Sequence, residues 1–293
     1  MRKPNRLFLQ CVFWGVVAAL CWTVRLQAQT PDTGGTPYTY REVQGEALKA
    51  YVFSPQERSG TRHPAILMFH GGAWQLGDAS WMFQRAREFA QDGMVAIAVE
   101  YRLSLHGQSP VEGVDDACAA FLWVRAHAAE LHIDPDRVAG YGVSAGGHLV
   151  AAAATLPAIS GVPIPAEARP NAMLLYSPAL NTGTDAYFMR LMNGHGDPHQ
   201  YSPSDFISST LPPTLIIQGE KDSIVYADDA KTFCAKATQL HARCELHVYP
   251  NVGHLLTRNL KVQYKDFDSD PEDAADAHKR EDEFLRSLHY VTR

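Results

Sequence analysis

Short apolar runs rich in β-branched residues alternate along the chain with longer segments in which apolar positions recur every three or four residues. Ala65–Phe69, Met94–Val99, Arg137–Tyr141, Ala172–Tyr176, Thr214–Gln218 and Glu245–Tyr249 read as strands. Ser80–Gln91, Val111–Leu131, Ala145–Leu156, Ala227–Leu240 and Glu272–His289 read as helices. In the second of these, Val114, Ala117, Phe121, Val124 and Ala128 fall on one side, while Ala145–Leu156 is small or apolar almost all round, as befits a helix packed deep against a sheet. Two further strands, Tyr38–Val43 and Leu48–Phe53, flank a turn at Gly45 and Glu46 and predict an antiparallel hairpin at one edge. Strands that alternate with helices predict an α/β fold, with a mostly parallel eight-stranded sheet covered on both faces.

Two stretches break this rhythm, Pro157–Pro170 and Pro178–Pro213. The second is too long for a plain connection and carries Tyr187, Phe188, Met189, Met192 and Tyr201, so residues 178–213 are expected to fold down as a partial cap over a substrate pocket. The catalytic domain is then a single unit, 38–293, preceded by a flexible segment, 29–37. Residues 1–28 differ from everything after them. Arg2, Lys3 and Arg6 precede an uncharged, mainly apolar run from Leu7 to Val24, and Ala28 offers a small residue for cleavage, the pattern of a secretory signal peptide. Retention of this run as a membrane anchor is the alternative, since 18 residues reach the lower limit for a bilayer span. Either reading implies export, to the periplasm or the medium, and only the uncleaved form has a stable membrane partner.

Charge narrows the partners. The net charge is −6, with no basic cluster able to displace counterions from a phosphate backbone, so nucleic acid is not expected. Loss of residues 1–28 removes Arg2, Lys3, Arg6 and Arg25 and no acid, which takes the net charge to −10. Of five cysteines, Cys118, Cys234 and Cys244 would remain, too few for a disulfide scaffold. An oxidising compartment would allow Cys234 and Cys244 to pair, a short loop worth ~2 to 3 kcal/mol, and the sequence leaves that open. Cys118 lies among alanines and Phe121 in a helix and reads as a buried, inert thiol.

Gly142–Gly146 spells G-x-S-x-G between a strand and a helix. Such a sharp turn lifts the hydroxyl of Ser144 clear of the sheet, with glycines allowing the close approach on either side; a plain helix cap is the competing role for that serine. A serine hydroxyl is a poor nucleophile at neutral pH and needs a base held by a third group. His254 is the best placed of 13 histidines, because the turn Asn251–Gly253 follows a strand and aims it at the carboxyl edge of the sheet, where ligands of open parallel sheets bind. His148 lies one helical turn past Ser144 and reads as a packing residue; His195 and His199 sit in the long loop, where solvent is the first expectation. Asp222 follows the strand Thr214–Gln218 at the same edge and is the chosen acid, with Glu220 as runner-up; Asp228 and Asp229 suit the first turn of the next helix. Nucleophile, acid, base is the chain order expected for this arrangement. After the strand Ala65–Phe69 come His70, Gly71, Gly72, Ala73 and Trp74. The backbone N–H groups of Gly71 and Gly72, with that of Ala145, would form an oxyanion hole, while Trp74 and His70 are candidate substrate contacts.

HGGAW at His70–Trp74, Y-R-L at Tyr101–Leu103, IDPDRVAGYGVSAGGH at Ile133–His148, LPPTLIIQGEKDSIV at Leu211–Val225 and PNVGH at Pro250–His254 together resemble the α/β-hydrolase superfamily, and within it the hormone-sensitive-lipase-like and carbohydrate (acetylxylan or feruloyl) esterases. The likeness covers nearly all of Tyr38–Tyr290. Ala73 stands where a third glycine is common, and a helical N-terminal cap of the usual size is missing, which favours small exported esterases over lipases. The resemblance implies an esterase with no metal or organic cofactor, acting through an acyl-serine on short-acyl or feruloyl esters of carbohydrates, whether small molecules or polysaccharides. An arylformamidase, a prolyl-oligopeptidase-type peptidase and a catalytically silent hydrolase fold used for binding remain as alternatives.

Overall fold

The computed structural model describes residues 34–56 and 62–291, so the signal-peptide reading of residues 1–28 lies outside the described residues. Among the described residues, ten strands and six α-helices follow one another as β1 (Thr36–Val43), β2 (Glu46–Phe53), β3 (His63–Phe69), α1 (Phe83–Gln91), β4 (Val95–Val99), α2 (Pro110–Ala126), β5 (Ile133–Val143), α3 (Ala145–Thr155), β6 (Ala158–Ile159), β7 (Val162–Pro163), β8 (Ala172–Tyr176), α4 (Ala186–Met192), β9 (Thr214–Gly219), α5 (Ala227–Gln239), β10 (Cys244–Tyr249) and α6 (Pro271–Ser287). Eight strands form one sheet in the order β1-β2-β4-β3-β5-β8-β9-β10. The hairpin β1–β2 is antiparallel and joins β4 antiparallel; every other neighbouring pair in this sheet is parallel. β6 and β7 form a separate small hairpin within the 157–170 stretch.

Strands buried on both faces read as unbroken apolar runs, and the side chains divide by parity. Leu67, Ile97 and Ile216 pack with Val114, Phe121, Leu149 and Phe233 from α2, α3 and α5. Ile66, Met68, Ala98 and Ile217 pack on the opposite face with Phe89 of α1 and Phe284 of α6. The sheet's carboxyl edge is thereby left to loops.

Several boundaries differ from the sequence expectation. β1 begins at Thr36, inside the segment expected to be flexible, because Thr36 and Pro37 pair with Val52 and Tyr51 of β2. α2 ends at Ala126, earlier than Leu131, and the chain turns through residues 127–132 to enter β5 at Ile133. Within 178–213, α4 is capped by Asp185, whose carboxylate accepts from the N–H groups of Tyr187 and Phe188. Cys234 and Cys244 are joined as a disulfide that ties α5 to β10. Cys118 is buried, and burial pushes its thiol up to about 12.

Candidate active site

Ser144 sits between β5 and α3 with φ 52° and ψ −114°, a conformation that L residues rarely adopt and that the surroundings must enforce. They do so through glycines. A Cβ on Gly142 would collide with the Gly146 carbonyl, and one on Gly146 with the Phe69 carbonyl, so no larger residue fits at either position. The N–H of Ser144 donates to Tyr176 O at 2.9 Å, and its carbonyl accepts from His148 N and Ala179 N, which pins the turn to β8 and to the segment after it.

His254 begins a short 3₁₀ turn after β10, and Asp222 lies on the loop after β9; the two strands pair in parallel and bring both loops to the same edge as Ser144. His254 Nε2 is 3.0 Å from Ser144 Oγ, and Nδ1 is 2.8 Å from Asp222 Oδ2. A carboxylate only accepts, so Nδ1 carries the proton and Nε2 is free to accept one from the hydroxyl. Both side chains are almost completely buried. Asp222 is satisfied on every side: Oδ1 accepts from Ile224 N and Val225 N, each at 2.9 Å, and Oδ2 accepts from Gln218 Nε2 at 3.0 Å as well as from the imidazole. Glu220, the alternative acid, instead pairs with exposed Lys221 at 3.2 Å.

The HGGAW loop lies against the serine. A Cβ on Gly71 would stand 3.3 Å from Ser144 Cβ, and Gly72, Ala73 and Trp74 all have positive φ, at 115°, 52° and 60°. The carbonyl of Gly72 accepts from Gln75 N and Leu76 N, which closes the loop on itself. Ala145, the first residue of α3, has an N–H without an intrahelical partner. Gly71 thus lies against Ser144 on one side and Ala145 adjoins it at the start of α3.

His70 departs from its expected role. It is 1% exposed and does not line the cavity beside Ser144. Its ring stacks on Tyr101 at 4.4 Å, Tyr101 Oη donates to His70 O at 2.9 Å, and burial lowers the imidazole's pKa. His70 and Tyr101 therefore support the loop from beneath, because a ring at the strand's end is drawn into the core before it can reach substrate. Arg102, beside Tyr101, anchors the same segment to α2 through the fully buried Asp116, which also accepts from Arg41. Trp74 does line the cavity, but it is largely buried against His148 and Phe188, and its indole N–H donates to His148 Nδ1 at 3.2 Å. His148 in turn donates from Nε2 to Tyr201 O at 2.8 Å, and burial lowers its pKa to about 4. His199 pairs with Asp205 at 2.8 Å in the exposed part of the 178–213 stretch, and neither it nor His195 borders the cavity.

That cavity measures about 720 Å³ and opens over Ser144. Leu180, Asn181 and Tyr187 of the 178–213 segment form one wall, and Ile224, Tyr226 and Tyr264 another, so the segment walls the site as its apolar content suggested. Asp229 adds a carboxylate, held at 3.0 Å by Asn181 Nδ2. Among the described residues no group of three or more His, Cys, Asp or Glu is placed to hold a metal ion, and no helix is long and apolar enough to cross a membrane.

A family model described as the alpha/beta hydrolase fold matches residues 66–258, a span that includes Ser144, Asp222 and His254. The chain belongs to the α/β-hydrolase fold family. A solved structure similar to this α/β hydrolase is an esterase from Thermogutta terrifontis with propionate bound, 29% identical, with a TM-score of 0.77 over 89% of this chain and 97% of that one. An arylesterase from Saccharolobus solfataricus is 38% identical over 110 residues, 37% of this chain and 35% of its own length. A carboxylesterase from Mycobacterium tuberculosis, NlhH, is 40% identical over 101 residues, 34% of this chain and 31% of its own. The α/β hydrolase described here thus spans about a third of the length of the curated relatives it matches.

One member of the site escaped the sequence reading. Gln263, 3% exposed, reaches the loops of both Asp222 and His254, although it sits in a charged run, Lys261–Asp270, that carries no motif.

Proposed function

We propose that this chain is a serine carboxylic ester hydrolase, exported under the direction of residues 1–28, that acts on short-acyl or aromatic-acyl esters of hydroxylated alcohols such as carbohydrates. The observation that carries the reading is the line from Ser144 Oγ through His254 to Asp222, at 3.0 and 2.8 Å, at the floor of a cavity. Ser144 Oγ attacks the ester carbonyl carbon while His254 Nε2 takes its proton. Negative charge on the former carbonyl oxygen meets the N–H groups of Gly71, Gly72 and Ala145, each donor worth about 3 to 4 kcal/mol to the transition state. Asp222 holds the Nδ1 proton and stabilises the imidazolium. The tetrahedral intermediate expels the alcohol, which leaves with the proton from Nε2, and an acyl ester on Ser144 remains. Water then attacks, giving its proton to His254, and the second intermediate collapses to the carboxylic acid as His254 Nε2 passes that proton to the departing Ser144 Oγ.

A cavity of about 720 Å³ with Trp74, Tyr187, Tyr226 and Tyr264 in its walls supports an ester with a ring-shaped part, and Asp229 with Asn181 supports hydroxyl groups on it. Propionate bound to the Thermogutta esterase supports a short acyl chain. Export is supported by the basic, then apolar, pattern of residues 1–28.

The test is a substrate panel on the purified protein: nitrophenyl esters of rising acyl length, acetylated xylan, methyl ferulate, N-formylkynurenine and a proline-containing peptide. The expected result is the highest kcat/KM on short-acyl or feruloyl esters. Preferential cleavage of N-formylkynurenine or of the peptide, or no turnover of any ester, would overturn the proposal.

A further inference from the structure

Gln263 makes four hydrogen bonds, all to backbone, and each one lands on a loop that carries a member of the candidate triad or on its own loop. Its Oε1 accepts from the N–H of His254 at 2.9 Å and from the N–H of Ser223 at 3.0 Å. Its Nε2 donates to Lys221 O at 2.8 Å and to Leu260 O at 3.4 Å. Lys221 and Ser223 are the two chain neighbours of Asp222. One amide therefore fastens both sides of the acid residue to the base residue, over the interval that the imidazole must bridge.

The amide's own position is fixed from behind. The loop between His254 and α6 closes on itself: Thr257 bridges to Ser269, Thr257 Oγ1 donates to Asp266 O at 2.9 Å, and Arg258 pairs with Asp268 at 2.7 Å. The same loop presents Tyr264 to the cavity while its neighbour Gln263 turns inward and does not line the cavity. There is no slack at the contact, because a Cβ on Gly253 would collide with the Gln263 amide. Asp222 needs no further donor, its two oxygens already accepting four hydrogen bonds. What the carboxylate does not fix is where the backbone of His254 lies relative to it. The Oε1 of Gln263 helps to do so, shared by N–H groups from both loops and working beside the Lys221 N–H bond to Val252 O at 2.9 Å.

Resting on the triad reading above, we infer that Gln263 is a positioning residue that sets the separation and angle of His254 and Asp222, and so governs proton transfer without touching substrate. A misplacement of about an ångström at reacting atoms can cost on the order of a hundredfold in rate. Gln263→Met keeps the length and apolar bulk of the side chain and removes both acceptor and donor. Gln263→Glu keeps the acceptor for both N–H groups and gives up the bonds to Lys221 and Leu260.

The experiment measures kcat and KM on a short-acyl nitrophenyl ester for Gln263→Met, Gln263→Glu, Asp222→Asn and the double variant Asp222→Asn/Gln263→Met, each with its thermal midpoint. The expected result is a kcat about ten- to a hundredfold lower in Gln263→Met with KM within about twofold, since the residue is off the cavity wall, and recovery of at least about half of the logarithmic loss in Gln263→Glu. In the double variant, the loss added by Gln263→Met should shrink to about threefold or less, because the Asp222–His254 alignment it protects is already spoiled. A folded Gln263→Met with kcat within about threefold of the parent, losses that multiply in the double variant, or a folded Gln263→Glu no better than Gln263→Met would each overturn the inference. Should Gln263→Met not fold, Gln263→Glu alone decides: kcat within about tenfold of the parent supports the role, and any larger loss refutes it. Unimpaired turnover in Asp222→Asn would instead strike the triad reading, a different failure from that of Gln263.

Discussion

Asp222→Asn introduces a donor into a site where every neighbour is already a donor. The carboxylate accepts from Ile224 N and Val225 N on Oδ1 and from Gln218 Nε2 and His254 Nδ1 on Oδ2. An amide nitrogen at the Oδ1 position would leave two buried backbone N–H groups without acceptors, at about 1 to 3 kcal/mol each. With the nitrogen at the Oδ2 position those two bonds survive. Gln218, whose Oε1 is buried without a partner, can flip to accept from the new amide, at the expense of its bond to Val225 O, worth about 1 kcal/mol. The second placement is therefore favoured by about 1 to 5 kcal/mol. It forces His254 to accept at Nδ1, so its proton moves to Nε2 and points at Ser144 Oγ. A base in that tautomer cannot take the serine proton. The expected loss in kcat is about 10⁴-fold, close to 5 kcal/mol of transition-state stabilisation. Initial rates on a short-acyl nitrophenyl ester between about pH 6 and 10 measure it, with the thermal midpoint as the control for folding. A folded Asp222→Asn protein that keeps more than about a tenth of the parent rate would refute the assignment of Asp222 as the residue that holds the Nδ1 proton.

Burial lowers the pKa of His148 from 6.5 to about 4, so in the window between those values the unfolded chain binds a proton that the folded chain does not. Its contribution to stability is present above 6.5 and lost as pH falls toward 4, up to about 3 kcal/mol; denaturant titrations should show a shallower acid slope in His148→Gln than in the parent, and equal slopes would contradict the linkage. Gly146→Ala drives a methyl group into the carbonyls of Phe69 and His70 and should lower stability by about 3 kcal/mol or more, read as a fall in the thermal midpoint or loss of soluble protein; a stable, active Gly146→Ala would contradict the close approach at the serine turn.

The strands were legible because both faces of this sheet are covered. Ala65–Phe69 shows no polar interruption even though Ile66 and Leu67 face different helix layers. The serine turn was legible because its glycines leave a fixed local spacing, Gly142 making room for the Gly146 carbonyl four residues on, and the placement of Asp222 and His254 was legible because parallel strands deliver successive loops to one edge. Contacts that join distant segments left no such mark. His70 looked like a pocket residue by position, yet its stacking on Tyr101, 31 residues away, draws it into the core. The bridge from Trp74 through His148 to Tyr201 joins three segments that have no shared local pattern. Gln263 lies among Lys261, Lys265 and Asp266, and only the closure of the loop through Thr257, Arg258 and Asp268 reveals that one amide in it is buried. The end of α2 was misjudged because the apolar spacing runs on through Ala128 and Leu131, which are buried in the turns that follow the helix.

In the proposed reaction the hydroxyl of Ser144 forms the covalent acyl intermediate. Peptide mass spectrometry after treatment with a fluorophosphonate tests it most directly, comparing the parent protein with Ser144→Ala. One adduct per chain is expected, on the peptide that contains Ser144, with neither adduct nor ester hydrolysis above background in Ser144→Ala. An adduct on another residue, or a Ser144→Ala protein that still turns over esters near the parent rate, would contradict it.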